Sequence, residues 1–318
     1  MKTWKDSSIL LLSLRLRRKQ EDGDSVKTPA LLFLPSHFIL PDHLLTYPYL
    51  AGMPLFQDQT GRSVAVSGVP ERIISIVPSQ TELLYHLGLG QEVAGITKFC
   101  VHPNTWFRNK QRIGGTKNLN LQRIRELGPH LILANKEEND RDQVEELAKE
   151  FSVWTSDIHD LPSALDMIRS VGILTGKADR ASVLANDILK AFAGLRPGPP
   201  VRTAYLIWKD PYMAAGGDTF IHDMLQRCGL QNLFAEKPRY PATSVEELGE
   251  AGCELLLLSS EPYPFSEKHI AGLQARLPHA RILLVDGEMF SWYGSRLLLA
   301  PPYFARLTDQ LHSNPYIR

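Results

Sequence analysis

A chain of 318 residues exceeds the usual single-domain size, so two lobes or one large α/β unit with a sizeable core are expected. Lysine plus arginine equals aspartate plus glutamate at 35 each, and no basic run is long enough to track phosphates, which argues against a nucleic-acid partner. Cys100, Cys228 and Cys253 are odd in number and far apart, fitting neither a disulfide framework nor a C-x-x-C motif.

The start carries a largely apolar stretch of six residues, Ile9 to Leu14, closed at once by Arg15, Arg17, Arg18 and Lys19. A secretory apolar region needs about 7–15 residues and a cleavage site, and a membrane span about 20. The expected location is therefore cytoplasmic. Residues 1–52 mix a charged patch with short, proline-punctuated apolar runs, and read as a poorly ordered extension or a misplaced start ahead of Met53.

From Met53 the elements follow in order. "PLFQDQTGRSVAV" predicts a hairpin turning at Gly61, and "IISIV" a short strand broken at Pro78. Ser79 to Glu82 has the S-x-x-E form of a capping box, opening a helix that Gly88 ends. "NLQRIRELGPHLILAN" gives a helix, a Gly-Pro stop and a buried strand; "RDQVEELAKEF" and "SVWTS" add another helix and strand. This alternation predicts a mainly parallel sheet covered by helices over 53–161.

Residues 162–198 carry no strand signal and read as connecting helices broken at Gly176. Over 199–318 the alternation resumes, with "RTAYLIW" as a strand, Asp218 as an N-cap, and Ile221, Met224, Leu225 and Cys228 as one helical face. The stretch at 121–135 is echoed at 245–259, Leu121 falling on Val245, Gly128 on Gly252 and Leu131 on Leu255, an offset of 124. Two similar lobes account for the echo most simply.

Four strand-end loops concentrate aromatic and polar residues: "TKFCVHP" (97–103), "GGTKN" (114–118), "IWKDPYMAAGGDTF" (207–220) and "DGEMFSWYGSR" (286–296). Ligands of open α/β sheets sit beyond the carboxyl ends of strands, and with two lobes the cleft between them is the default site. The candidate contacts from these loops are Phe99, Cys100, His102, Thr116, Lys117, Trp208, Tyr212, Glu288, Trp292 and Tyr293. Glu288 and Arg296 could pair with one another. Cys100, His102 and Glu288 invite a metal reading without any specific metal spacing, so no metal site is assigned. The phosphate-loop, G-x-S-x-G and H-E-x-x-H signatures are missing, and binding ranks above catalysis.

From about Phe56 to Leu311 the chain resembles the substrate-binding proteins of iron-siderophore and vitamin B12 ABC importers, in "RIISIVPSQTELLYHLGLG", "IGGTKNLNLQRIRELGPHLILAN", "MAAGGDTFIHDMLQRCG" and "YPATSVEEL". The resemblance implies an α/β fold of two Rossmann-like lobes with central β-sheets, joined by a single long backbone helix as in class III periplasmic binding proteins. It also implies one ligand in the cleft, cobalamin or another metal chelate, no required cofactor, a monomer, and an ABC permease as partner. In the family the location is periplasmic or envelope-associated, the alternative to a cytoplasmic one.

Position by position, the resemblance puts Phe99 where an aromatic contacts the corrinoid and Trp208 in the facing loop. Tyr240 stands where the family has a tryptophan, Glu288 where it has an aspartate, and Thr116 where a tryptophan is expected. The two permease-docking glutamates of the family correspond to Gln122 and Glu246, so one docking charge is replaced. The alternatives are an iron-siderophore or haem binder, a transition-metal receptor, or an enzyme acting on a small cofactor.

Overall fold

A computed structural model describes residues 54–312; the expectation for residues 1–52 lies outside the described residues. Strands β1 (Leu55–Gln57) and β2 (Ser63–Ala65) pair antiparallel. Their turn is held by Asp58, whose carboxylate accepts from the Thr60 and Arg62 amides and pairs with the Arg62 guanidinium. The first lobe continues with β3 (Ile73–Ser75), α1 (Pro78–His86), β4 (Val93–Ile96), α2 (Asn104–Asn109) and β5 (Gln111–Arg112). It ends with α3 (Leu121–Leu127), β6 (Leu131–Asn135), α4 (Arg141–Ala148) and β7 (Val153–Ser156).

The sheet runs β5-β4-β3-β6-β7, all parallel. A parallel sheet is covered on both faces, which is why β3 and β6 read as continuous apolar runs and are wholly buried. The expected capping box does not form. Val77 is the N-cap of α1 without a side-chain bond, and Pro78 occupies the first turn, where its missing N–H costs nothing. Glu82 points instead to the second lobe.

Helices α5 (Leu161–Leu174) and α6 (Ala178–Ala193) connect the lobes, broken at Gly176 with φ of 66° as its position predicts. The sixteen residues of α6 reach about 24 Å. At its start Arg180 donates to the Leu87 carbonyl of the first lobe, and at its end the Phe192 ring meets Phe304 of the second. The connection is thus a helix pair in which α6 is the lobe-to-lobe strut.

The second lobe is built from β8 (Val201–Trp208), β9 (Tyr212–Ala214), α7 (Phe220–Arg227), β10 (Leu230–Asn232), β11 (Ala242–Thr243), α8 (Val245–Glu250) and β12 (Leu255–Ser259). Then come α9 (Glu267–Arg276), β13 (Arg281–Val285), α10 (Gly287–Ser291), a 3-10 turn at Ser295–Leu298 and α11 (Ala300–His312). Its sheet runs β11-β9-β8-β12-β13 with β10 beside β8; β8, β12 and β13 are parallel and β9 antiparallel. Thr219, not Asp218, caps α7, accepting from the His222 amide, while Asp218 takes the Arg239 amide.

The echo at an offset of 124 is a structural repeat. Asn120 and Ser244 cap α3 and α8 through the amides of Arg123 and Glu247. Gly128 and Gly252 both hold the left-handed conformation, φ 53° and 63°, that ends a helix without a Cβ clash. Arg72 and Arg202 donate to the carbonyls of those two glycines.

Along β12, Leu255 and Leu257 face one apolar cluster and Leu256 and Leu258 another, the period-2 alternation of a strand buried on both faces. The first cluster is continuous through both lobes, running from Ile73 and Leu131 past α5 and α6 to Phe290 and Phe304. All three cysteines are buried, and burial pushes their thiols up. A thiol-disulfide reagent is expected to label none of them in the native protein and all three after denaturation; prompt native labelling would contradict this packing.

Candidate functional site: the inter-lobe cleft

The carboxyl ends of the parallel strands bring loops from both lobes together. Loop 97–103 follows β4 and loop 136–139 follows β6, while Trp208 ends β8 and loops 260–263 and 286–296 follow β12 and β13. Four cross-lobe contacts locate the cleft. Arg296 donates Nε and Nη2 to the two Glu82 oxygens at 2.9 and 2.7 Å. His102 Nε2 meets Glu288 at 3.2 Å, the His102 ring stands 5.5 Å from that of Trp292, and Arg239 Nη2 lies 2.7 Å from Glu137.

Arg296 is buried and sits between two carboxylates, since its Nη1 also lies 2.7 Å from Glu288; its guanidinium lies over the Trp292 ring. Glu288 therefore pairs both with Arg296 of its own loop and with His102 across the cleft. Trp292 is packed into this interface, its Nε1 donating to Glu261 at 2.9 Å. Tyr293 is buried as well, edge-on to Phe220.

The most exposed aromatics among the candidate contacts are Phe99, 51% exposed, and Trp208, 41% exposed, one on each lobe. Phe99 lies over the Gly115 backbone: a Cβ there would come within 3.1 Å of the ring, so glycine at 115 seats the ring on the chain. Trp208 stacks edge-on against Tyr263, and Tyr212 is half-buried. Lys117 is turned away, donating to the carbonyls of Glu137 and Asn139, while Thr116 offers its carbonyl to Asn139.

Three expected contacts are corrected: Trp292 and Tyr293 are packed into the junction of the lobes, and Cys100 lies inside the first lobe. Cys100 is completely buried, its sulfur held by the hydroxyls of Thr81 and Thr97, so it packs the first lobe and offers no surface to the cleft. Among the described residues no three His, Cys, Asp or Glu side chains converge as metal ligands, which leaves the transition-metal reading without a donor set.

The cleft also holds residues that the sequence reading passed over: Glu82, Glu137, Glu138, Arg239 and Glu261. Glu137 and Glu261 are 124 positions apart, each two residues beyond the end of β6 or β12, so the repeat itself could have found them. Tyr240 is held protonated by burial and by the Glu137 carboxylate. Burial, then the charges of Glu137 and Glu261, push the Glu138 carboxyl up to about 7, and burial also raises Glu261.

The sign of the linkage follows. With a folded value above the unfolded 4.5, native Glu138 retains a proton that the unfolded chain releases, so its contribution to stability falls as pH rises from 4.5 towards 7. Glu138→Gln should remove that contribution. The difference in denaturation midpoint between variant and parent should grow in the variant's favour across this window; a pH-independent difference would show that Glu138 titrates normally.

A family profile described as periplasmic binding protein matches residues 73–274, which hold the whole first sheet and all of the second but β13. The vitamin B12-binding protein of Pectobacterium carotovorum is 25% identical over 249 residues, covering 74% of this chain and 87% of its own. An ABC transporter substrate-binding lipoprotein of Bacillus subtilis is 23% identical over 267 residues, 76% of this chain and 81% of that one. Among solved structures, the periplasmic vitamin B12 binding protein of Vibrio cholerae superimposes with a TM-score of 0.65 at 19% identity, over 77% of this chain and 99% of that one. A cytoplasmic location draws no support from these relatives, named as periplasmic or as a lipoprotein, although no helix among the described residues is long and apolar enough to cross a membrane. With the profile covering most of both lobes and the two-lobed fold shared along nearly the whole of a solved relative, the chain belongs to the periplasmic binding protein family.

Proposed function

We propose that the protein is the ligand-binding receptor of an ABC-type importer, taking cobalamin or a closely related metal chelate between its lobes at the cell envelope. The observation that carries this reading is the half-exposed pair Phe99 and Trp208, one on each side of a cleft whose deeper contacts are polar. Large rigid aromatic surface with a few hydrogen bonds suits a broad macrocycle. The relatives named as vitamin B12-binding proteins support the same ligand class. Binding without turnover is the activity expected.

Gln122 and Glu246 are exposed in the first turns of α3 and α8, at equivalent points of the repeat, and form the proposed permease-docking pair. Glu246 pairs with Arg276 on α9, so its charge is held in place. Titrating the purified protein with hydroxocobalamin, haem and ferric siderophores in parallel tests the reading. A saturable change in the cobalamin spectrum at about micromolar ligand is expected for a receptor of this kind, and silence towards hydroxocobalamin overturns the corrinoid reading.

A further inference from the structure

Most cations on the loops that wall the cleft are held by acids or carbonyls. Arg239 meets Glu137, Arg296 lies between Glu82 and Glu288, and His102 meets Glu288. Lys136 pairs with Asp157, and Lys117 is turned to two carbonyls. Lys98, on the loop after β4, differs: it is exposed and its ammonium takes no carboxylate partner among the described residues. What it has instead is the Phe99 ring, whose centre lies 5.1 Å from Lys98 Nζ.

This placement is fixed by the backbone. The Lys98 amide donates to the Gly114 carbonyl and the Phe99 amide to the Thr97 hydroxyl, so the two side chains leave a pinned turn. Both lie against the Gly115 backbone, where a Cβ would come within 3.1 Å of the Phe99 ring and 3.3 Å of Lys98 Cε. Ring and ammonium thus form one surface on the first-lobe side of the cleft, apolar and cationic side by side. On the second lobe Trp208 also has a lysine beside it, but Lys209 is neutralised by Asp210 at 2.7 Å. The cleft is aromatic on both sides and carries an uncompensated cation on one. An exposed ammonium is held more loosely by a ring than by an anionic oxygen, so an anion arriving on a ligand displaces the ring as its partner.

Resting on the reading of the cleft as a cobalamin site, we propose that Lys98 is a specificity-determining contact that takes the phosphodiester of the ligand beside the face stacked on Phe99. Cobalamin carries one such group, in the arm that joins its nucleotide base to the corrin ring, while the other side chains of the ring are neutral amides. Lys98 therefore separates corrinoids that have this arm from those that end before the phosphate.

The test compares dicyanocobalamin with dicyanocobinamide, which has the same ring and axial ligands but ends before the phosphate, each titrated against the full chain by calorimetry in excess cyanide. The parent should prefer dicyanocobalamin. Lys98→Gln should weaken dicyanocobalamin about fivefold, the upper scale for a single exposed charge pair, and leave dicyanocobinamide unchanged. Lys98→Arg should keep the preference, and Lys190→Gln, on the exposed face of α6, should leave both affinities as they are. Equal or weaker binding of dicyanocobalamin by the parent, or a Lys98→Gln variant that weakens both ligands alike or neither, overturns the role of Lys98 while the corrinoid reading stands. Uptake of neither corrinoid by the parent removes that reading and this proposal with it.

Discussion

Replacing Arg296 with methionine should lower the unfolding free energy by about 3–5 kcal/mol, the usual cost of removing one partner from a buried ion pair. The guanidinium is the shared counter-ion of Glu82 and Glu288, whose side chains are only 19% and 20% exposed. Methionine keeps much of the volume over Trp292 but leaves Glu82 without a cation and Glu288 with only the His102 imidazole at 3.2 Å. The cost should sit in those carboxylates. Adding Glu82→Gln and Glu288→Gln to Arg296→Met is then expected to recover a large part of the loss in a denaturant titration. A triple variant no more stable than the single one would move the cost elsewhere, to lost packing of the arginine stem.

The second large effect falls on binding. Phe99→Ala combined with Trp208→Ala should weaken hydroxocobalamin binding by about 100-fold, roughly 2.7 kcal/mol, because aromatic anchors at the centre of a contact carry a disproportionate share of its energy. Both rings are about half exposed, so little core burial is lost and the unfolding midpoint should barely move. The binding loss and the unchanged midpoint have to appear together. Unchanged affinity in a folded double variant would mean that the ligand seats elsewhere.

Much of the fold is written in local pattern. Helix-strand alternation, the Gly128 and Gly252 stops and the repeat between 121–135 and 245–259 each follow from neighbouring residues, so the layered lobes were legible from the chain alone. The capping box was not, because the side chain that would complete it is claimed by a partner 214 residues away. Asp218 and Thr219 are both good caps, and the choice between them depends on the Arg239 amide, which only the folded loop brings near.

The site shows the same division. The loops that wall the cleft could be picked out by their aromatics, yet composition does not say which ring faces out. Phe99 and Trp208 are open while Trp292 and Tyr293 are packed, because the latter pair fills the junction where the lobes meet. Cys100 was expected as a ligand contact because it sits in a strand-end loop, and the register of that loop turns its sulfur under Thr81. Glu137 and Glu261 carried a signal in the repeat that becomes visible only once the repeat is extended past the strand ends.

The apolar cluster that runs unbroken from Ile73 through α5 and α6 to Phe304 has a kinetic consequence. Lobes sharing one core part only by exposing it, which favours a cleft of nearly fixed width. With little closure to wait for, arrival is set by diffusion, and residence time by the strength of the contacts made between the lobes. Differences in affinity among ligands, and among variants of the cleft, should appear almost wholly in how fast the ligand leaves.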